Sequence, residues 1–144
     1  MKNLVYKIIG AAMEVHKELG WGLLEKIYQE ALQIELQSQG ITAEREVFLN
    51  TYYKGQQLKK TYALDMLVNN QIVIECKADT ALHTEHRAQL CNYLRLTKLP
   101  LGILINFGTP TLQCERWLHD PATNTCVLAD RDLHPVPRKS TSPV

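Results

Sequence analysis

The sequence predicts an α/β fold: a central mixed β-sheet, made of an antiparallel meander plus one parallel strand, flanked by helices. Three observations predict it. Apolar stripes of helical spacing run between Leu4 and Gln39, two β-rich runs flank Asn69-Asn70-Gln71, and a helix-length segment leads into the unbroken apolar run Leu101–Phe107. With 144 residues and 45% hydrophobic content, the chain suits one core that buries roughly two-thirds of its unfolded surface.

From Leu4, apolar residues recur at Ile8, Ala11, Ala12, Val15 and Leu19, the stripe of a helix that Gly20 can end. Trp21-Gly22 links it to a second stripe, Leu23 to Gln39, closed by Gly40. On that helix Glu25 shares a face with Tyr28 and Leu32, and that face should pack inward. A carboxylate there needs a partner, or is simply favoured by the helix N-terminus.

Ile41 to Tyr53 reads as a long strand, Lys54-Gly55-Gln56 as a turn, Leu58 as the start of a second strand and Ile72 of a third. Lys54, Lys59 and Lys60 cluster at one end of this meander, where they are either merely solvated or grip backbone phosphates. A helix from about His83 to Thr97 cannot run past Pro100. Its His86, Gln89 and Tyr93 share one face that looks back along the Asn69 hairpin. Leu101–Phe107 is apolar throughout, as a strand covered on both faces should be, and its place after a helix predicts a parallel neighbour. Thr111 to Leu118 reads as a further strand. The domain is drawn over 1–128, with 129–144, Pro-rich and polar, as a flexible tail.

The hairpin from Thr61 to Lys77 carries the chemistry, because Asp65, Glu75 and Lys77 interrupt strands that are otherwise apolar. A two-residue turn would set Asp65 opposite Ile74 and part the carboxylates. A three-residue loop, Asn69 to Gln71, sets Asp65 opposite Glu75, and this is the register expected. The two carboxylates then lie ~5 Å apart and repel by about 3 kcal/mol at an effective dielectric of ~20. Lys77 offsets part of that charge, and a divalent cation can offset the rest. Hard oxygen ligands that leave room for water and phosphate suit Mg²⁺ or Mn²⁺. The constellation points to metal-assisted phosphodiester hydrolysis, with a salt-bridged hairpin edge as the plain structural alternative.

Other classes are disfavoured. A net charge of +1 means that any basic footprint is local. Lys7 and Glu14 interrupt the first apolar run, so no membrane span is expected and the chain is read as cytoplasmic. Four irregularly spaced cysteines, without a C-x-x-C pair, read as reduced thiols. His83-x-x-His86 has a metal-ligand spacing, but no further ligands stand at useful distances along the chain. There is no Gly-rich phosphate loop.

The order helix, meander, helix, strand, with Glu25 ahead of Asp65 and Glu75-x-Lys77, resembles the restriction-endonuclease-like core of the PD-(D/E)XK nuclease superfamily. Gly22-Leu-Leu-Glu25-Lys-Ile-Tyr28 resembles the motif that names the GxxExxY protein family. Val15-His16 with Leu19-Gly20, Tyr53-Lys54-Gly55, Glu75-Cys76-Lys77, Gln89 with Tyr93, and Gly102 through Asn106-Phe107-Gly108 extend the likeness from about Leu4 to Trp117. The resemblance implies that Glu25, Asp65 and Glu75 are the acidic metal-site residues and Lys77 the catalytic lysine. Gln89 and Tyr93 would form the Q-x-x-x-Y helix motif of nucleases resembling the RecB type. One departure is visible, Cys76 in place of the usual aliphatic residue; no proline precedes Asp65, which the superfamily often tolerates. The implied activity is a Mg²⁺- or Mn²⁺-dependent nuclease acting on nucleic acid, with DNA as the expected substrate. A small chain without a separate DNA-binding domain suits a homodimer addressing two strands. The alternative is a catalytically silent nucleic-acid-binding or protein-interaction module that keeps the fold.

Overall fold

The computed structural model describes residues 1–137. Helices α1 (Lys2–Leu19) and α2 (Glu25–Ser38) cover one face of a six-stranded sheet, and α3 (Thr84–Thr97) covers the other. The strands are β1 (Ala43–Leu49), β4 (Tyr62–Val68), β5 (Ile72–Lys77), β6 (Leu101–Asn106), β7 (Gln113–Asp120) and β8 (Thr125–Ala129), adjacent in that order. The short β2 (Tyr52–Tyr53) and β3 (Gln56–Gln57) form a separate ribbon.

The helical stripes do what their spacing dictates. Val5, Ile8, Ala11, Ala12 and Val15 are buried under α1, which Gly20 ends at φ 74° with its N–H on the His16 carbonyl. All six residues of β6 are buried, and β6 runs parallel to β5, as its apolar run requires. All other pairings in the sheet are antiparallel. Lys98, left-handed at φ 62°, ends α3, and Leu99-Pro100 leads directly into β6.

Three expectations need correction. The long first strand ends at Leu49, and the second meander strand starts at Tyr62 instead of Leu58. Between them Thr51 takes over the bonding: its carbonyl accepts from Leu58 N–H at 2.8 Å and its hydroxyl donates to Lys60 O at 2.5 Å, which interrupts the ladder. Lys54 and Gly55, at φ 50° and 80°, then close a two-residue turn of the kind that matches the twist of the ribbon. Second, β8 was not foreseen, and the boundary drawn before Ala129 falls inside it. Ala129 bridges to Pro135 and Val136 N–H bonds Leu128 O, while 138–144 of the expected tail lie outside the described residues. Third, Cys91 on α3 and Cys126 on β8 form a disulfide, Cα–Cα 5.9 Å, so only Cys76 and Cys114 are free thiols. A separation of 35 residues gave no clue to this pairing. Among the described residues no helix is long and apolar enough to cross a membrane.

The loop leaving β5 is held from β6. Buried Asn106 accepts from the N–H groups of Asp79 and Gly108, and its amide donates to Asp79 O and to Gln113. Gly108 lies so close that a Cβ there would stand 2.3 Å from the Asp79 backbone. Gly108→Ala is therefore expected to cost about 1–3 kcal/mol, the range for overpacking, because no flexible side chain can move aside. A denaturant melt checks this, and an unchanged midpoint would mean that the loop yields freely.

Candidate active site

The site forms where the β4–β5 ladder opens. Val68 pairs with Ile72, Leu67 with Val73 and Met66 with Ile74, around a three-residue loop in which Asn69 and Asn70 adopt φ 51° and 54°. That register, continued, brings Asp65 opposite Glu75. The backbone pairing stops at this point and side chains replace it: Asp65 N–H donates to Glu75 Oε1 at 3.2 Å, and Cys76 N–H donates to Asp65 Oδ2 at 2.9 Å.

Strict alternation of Ala63, Asp65 and Leu67 does not survive. Leu64 and Leu67 both pack on the α3 side, while Met66 and Val68 pack on the α1–α2 side. The switch falls at Asp65, next to Glu46 of β1. Glu46 has φ 52°, and both residues drop out of the β1–β4 ladder between the pairs Arg45–Met66 and Val47–Leu64. A carboxylate that accepts the neighbouring strand's N–H cannot also stand on a regular pleat.

Burial dominates the electrostatics of the pair. It raises the Glu75 carboxyl well above its ordinary value, and Asp65 pushes it further. Asp65 is also raised by burial, against the opposing pull of the Cys76 N–H and Lys77. Each carboxyl thus accepts a backbone N–H from the other strand's residue while burial disfavours its charge. Glu25, half-buried at the start of α2, is raised by burial, lowered by Lys77 and raised by Asp65. Glu25 is linked to Asp65 by charge alone, and among the described residues no three His, Cys, Asp or Glu side chains gather into a metal-binding group. A buried Glu75 beside a half-buried Asp65 fits a hard divalent cation that completes its shell with water and phosphate.

Lys77 ends β5, and its Nζ donates to Gln89 Oε1 on α3 at 3.3 Å. Gln89 in turn bonds the Tyr93 hydroxyl, whose pKa is pushed up to about 12, chiefly by burial and then by Glu75 and Asp65. Sequence spacing put Gln89 and Tyr93 on one helix face, and the fold turns that face to Lys77. Lys54, Lys59 and Lys60 lie apart from this cluster, exposed on and beside the β2–β3 ribbon. Gln89→Ala is expected to lower turnover by roughly 10- to 100-fold, the size of a lost orienting contact, with a nearly wild-type denaturant midpoint. Wild-type turnover by this variant would leave α3 as scaffold.

Residues 2–117 match the family model of the PD-(D/E)XK nuclease superfamily. The chain belongs to this superfamily. A solved structure, that of SSO0001, is similar at 27% identity with a TM-score of 0.55, over 69% of this chain and 54% of that one. The chain thus spans about half of that protein's length. No match was found among curated proteins.

Within this PD-(D/E)XK domain, the supports of the acidic pair were not legible as such. Fully buried Tyr28 donates its hydroxyl to Gly20 O at 2.7 Å, accepts from Leu23 N–H at 3.1 Å, and stacks on Phe107 at 4.7 Å. It ties down the link that delivers Glu25, and Gly22 allows the φ of 102° that the link needs. The Gly22, Glu25 and Tyr28 spacing therefore has a mechanical meaning. His16 adds a contact to Thr109 O at 2.9 Å. The pair His83 and His86 gathers around Asp79 at 3.9 and 3.7 Å instead of completing a metal shell, and His86 Nδ1 accepts the His83 N–H that begins α3. Arg87 grips Glu115 through two nitrogens, and Trp117 Nε1 also reaches that carboxylate, fastening α3 to β7. Along the chain Glu115 is only one of two adjacent charges, with Arg116, and their order does not say which partner either will meet.

Proposed function

We propose that this chain is a Mg²⁺- or Mn²⁺-dependent nuclease that hydrolyses phosphodiester bonds in DNA. The observation that carries the reading is the opened β4–β5 ladder, where Asp65 and Glu75 replace the missing backbone bonds next to Lys77. Asp65 and Glu75 would hold the metal, with Glu25 facing it from α2. When bound, such an ion polarises the phosphate and lowers the pKa of a coordinated water. Lys77 directs its ammonium at the attacking water and at the charge that builds on the phosphoryl oxygens. Gln89 and Tyr93 hold Lys77 in that direction. Water adds to phosphorus, the bond to the leaving oxygen breaks, and that oxygen takes up a proton.

Superfamily membership supports this reading, and the motif Gly22–Tyr28 resembles the one that names the GxxExxY proteins. A homodimer would present two such sites to two strands. The deciding experiment is cleavage of single-stranded, duplex and branched DNA with Mg²⁺ or Mn²⁺, against Lys77→Ala and an EDTA control. Metal-independent cleavage, or equal cleavage by the variant, would overturn the proposal.

A further inference from the structure

The β2–β3 ribbon, which extends beyond the Leu49–Tyr62 end of the β1–β4 ladder, leaves large aromatic rings in solvent. Tyr52 and Tyr53 are 60% and 62% exposed, and Tyr62, at the root of the ribbon, is 42% exposed. A ring in water costs free energy unless something covers it. From Phe48 to Tyr62 the sequence carries Lys54, Lys59 and Lys60 and no Asp or Glu. None of the three lysines is ion-paired among the described residues, and Lys54 instead sits 5.4 Å from the centre of the Tyr53 ring. Cations interleaved with exposed rings, with no anion to balance them, complement a ligand of anionic backbone and flat apolar faces.

The ribbon is also continuous with the site. Leu49 pairs with Tyr62 at the end of the β1–β4 ladder, and the Thr51 bonds to Leu58 and Lys60 extend the ribbon from there. Tyr62 meets Tyr93 edge-on at 5.6 Å, and Tyr93 reaches Lys77 through Gln89. A strand lying along the ribbon therefore leads to the carboxylate pair. Tyr52 and Tyr53 are neighbours on one strand and point to opposite sides of it, so each side of the ribbon offers a ring.

We infer that the β2–β3 ribbon is a stacking platform for unpaired DNA, which makes a single strand, or the splayed end of a duplex, the preferred substrate. Bases inside a duplex hide their faces in the stack, whereas unpaired bases expose them to Tyr52, Tyr53 and Tyr62. Lys54, Lys59 and Lys60 then take the phosphates. This substrate preference rests on the nuclease reading above, while the binding surface itself does not.

The test measures affinity for a labelled single-stranded DNA oligonucleotide and for its duplex, with Mn²⁺, using Lys77→Ala protein so that cleavage does not intervene. Adding Tyr52→Ala and Tyr53→Ala should weaken single-strand binding about tenfold relative to duplex binding, the scale of lost base stacking. Phe at both positions should retain binding, because it keeps the stacking face and controls for damage to the fold. Removing the three lysines should lower the slope of log affinity against log salt by about 2, since each single-strand phosphate contact contributes roughly 0.7. Equal single-strand affinity with and without the tyrosines overturns the inference. So does a tyrosine variant that turns from dimer to monomer while binding DNA normally, which would make the ribbon a protein interface. Should wild-type protein cut no DNA while the tyrosine effect appears, the nuclease reading fails and the platform stands. Should it cut DNA with no tyrosine effect, the platform alone fails.

Discussion

Lys77→Ala is expected to lower metal-dependent DNA cleavage by about 10²- to 10³-fold, the loss seen when one preorganised donor to a developing charge is removed. Lys77 is half-buried at the end of β5 and outside both apolar cores, so its removal opens no core cavity and the variant should fold. Its ammonium has no acidic partner within ion-pair distance among the described residues, and it leans on a neutral amide, Gln89 Oε1 at 3.3 Å. A lysine committed to stabilising the fold would be paired more closely with Asp65 or Glu75. Steady-state cleavage of one DNA substrate by both proteins, with equal circular dichroism spectra, checks the claim. Retention of even a tenth of wild-type turnover would assign the lysine to a peripheral role.

Glu75→Gln should stabilise the metal-free protein at neutral pH and abolish its response to Mn²⁺. Glu75 is almost fully buried, and burial and Asp65 together hold its carboxyl well above the ordinary value of 4.5. Between 4.5 and the raised folded-state value, the native protein keeps a proton that the unfolded chain has released. Unfolding then releases a proton, so rising pH favours the unfolded state and stability falls across that window. Each unit of upward shift costs about 1.4 kcal/mol once pH exceeds the folded-state value. Glutamine removes this cost, so the variant's stability should vary less with pH. Mn²⁺ should raise the melting temperature of the wild type by binding only the folded state, and should do so far less for the variant. An unchanged pH slope, or an equal Mn²⁺ response, would place the proton and the ion elsewhere.

Periodicity was enough for the helices, because an apolar stripe at helical spacing has one economical way to bury itself. Leu4 to Leu19 and His83 to Thr97 became α1 and α3 almost residue for residue. The parallel strand was legible for a similar reason: Leu101 to Asn106 has no polar side until its last residue, so both of its faces had to be covered. The register that brings Asp65 to Glu75 followed from loop length and the two-residue period of a strand. Asp65, Glu75 and Lys77 could be named because charges are costly inside apolar strands.

What only the tertiary structure decided depends on groups far apart in the chain. The skipped ladder pair at Glu46 and Asp65, the hydrogen bonds of Asp65 and Glu75, and the Cys91–Cys126 disulfide all arise between separate elements. So do the clamp of Asn106 on Asp79 and the fixing of the Glu25 link by Tyr28. A local pattern records which face of a segment is apolar, and it does not record which distant backbone N–H will lack a partner until the segments meet. At Asp65 and Cys76 the ladder leaves two such donors unmet, and the carboxylates that satisfy them are the pair on which the proposed chemistry rests.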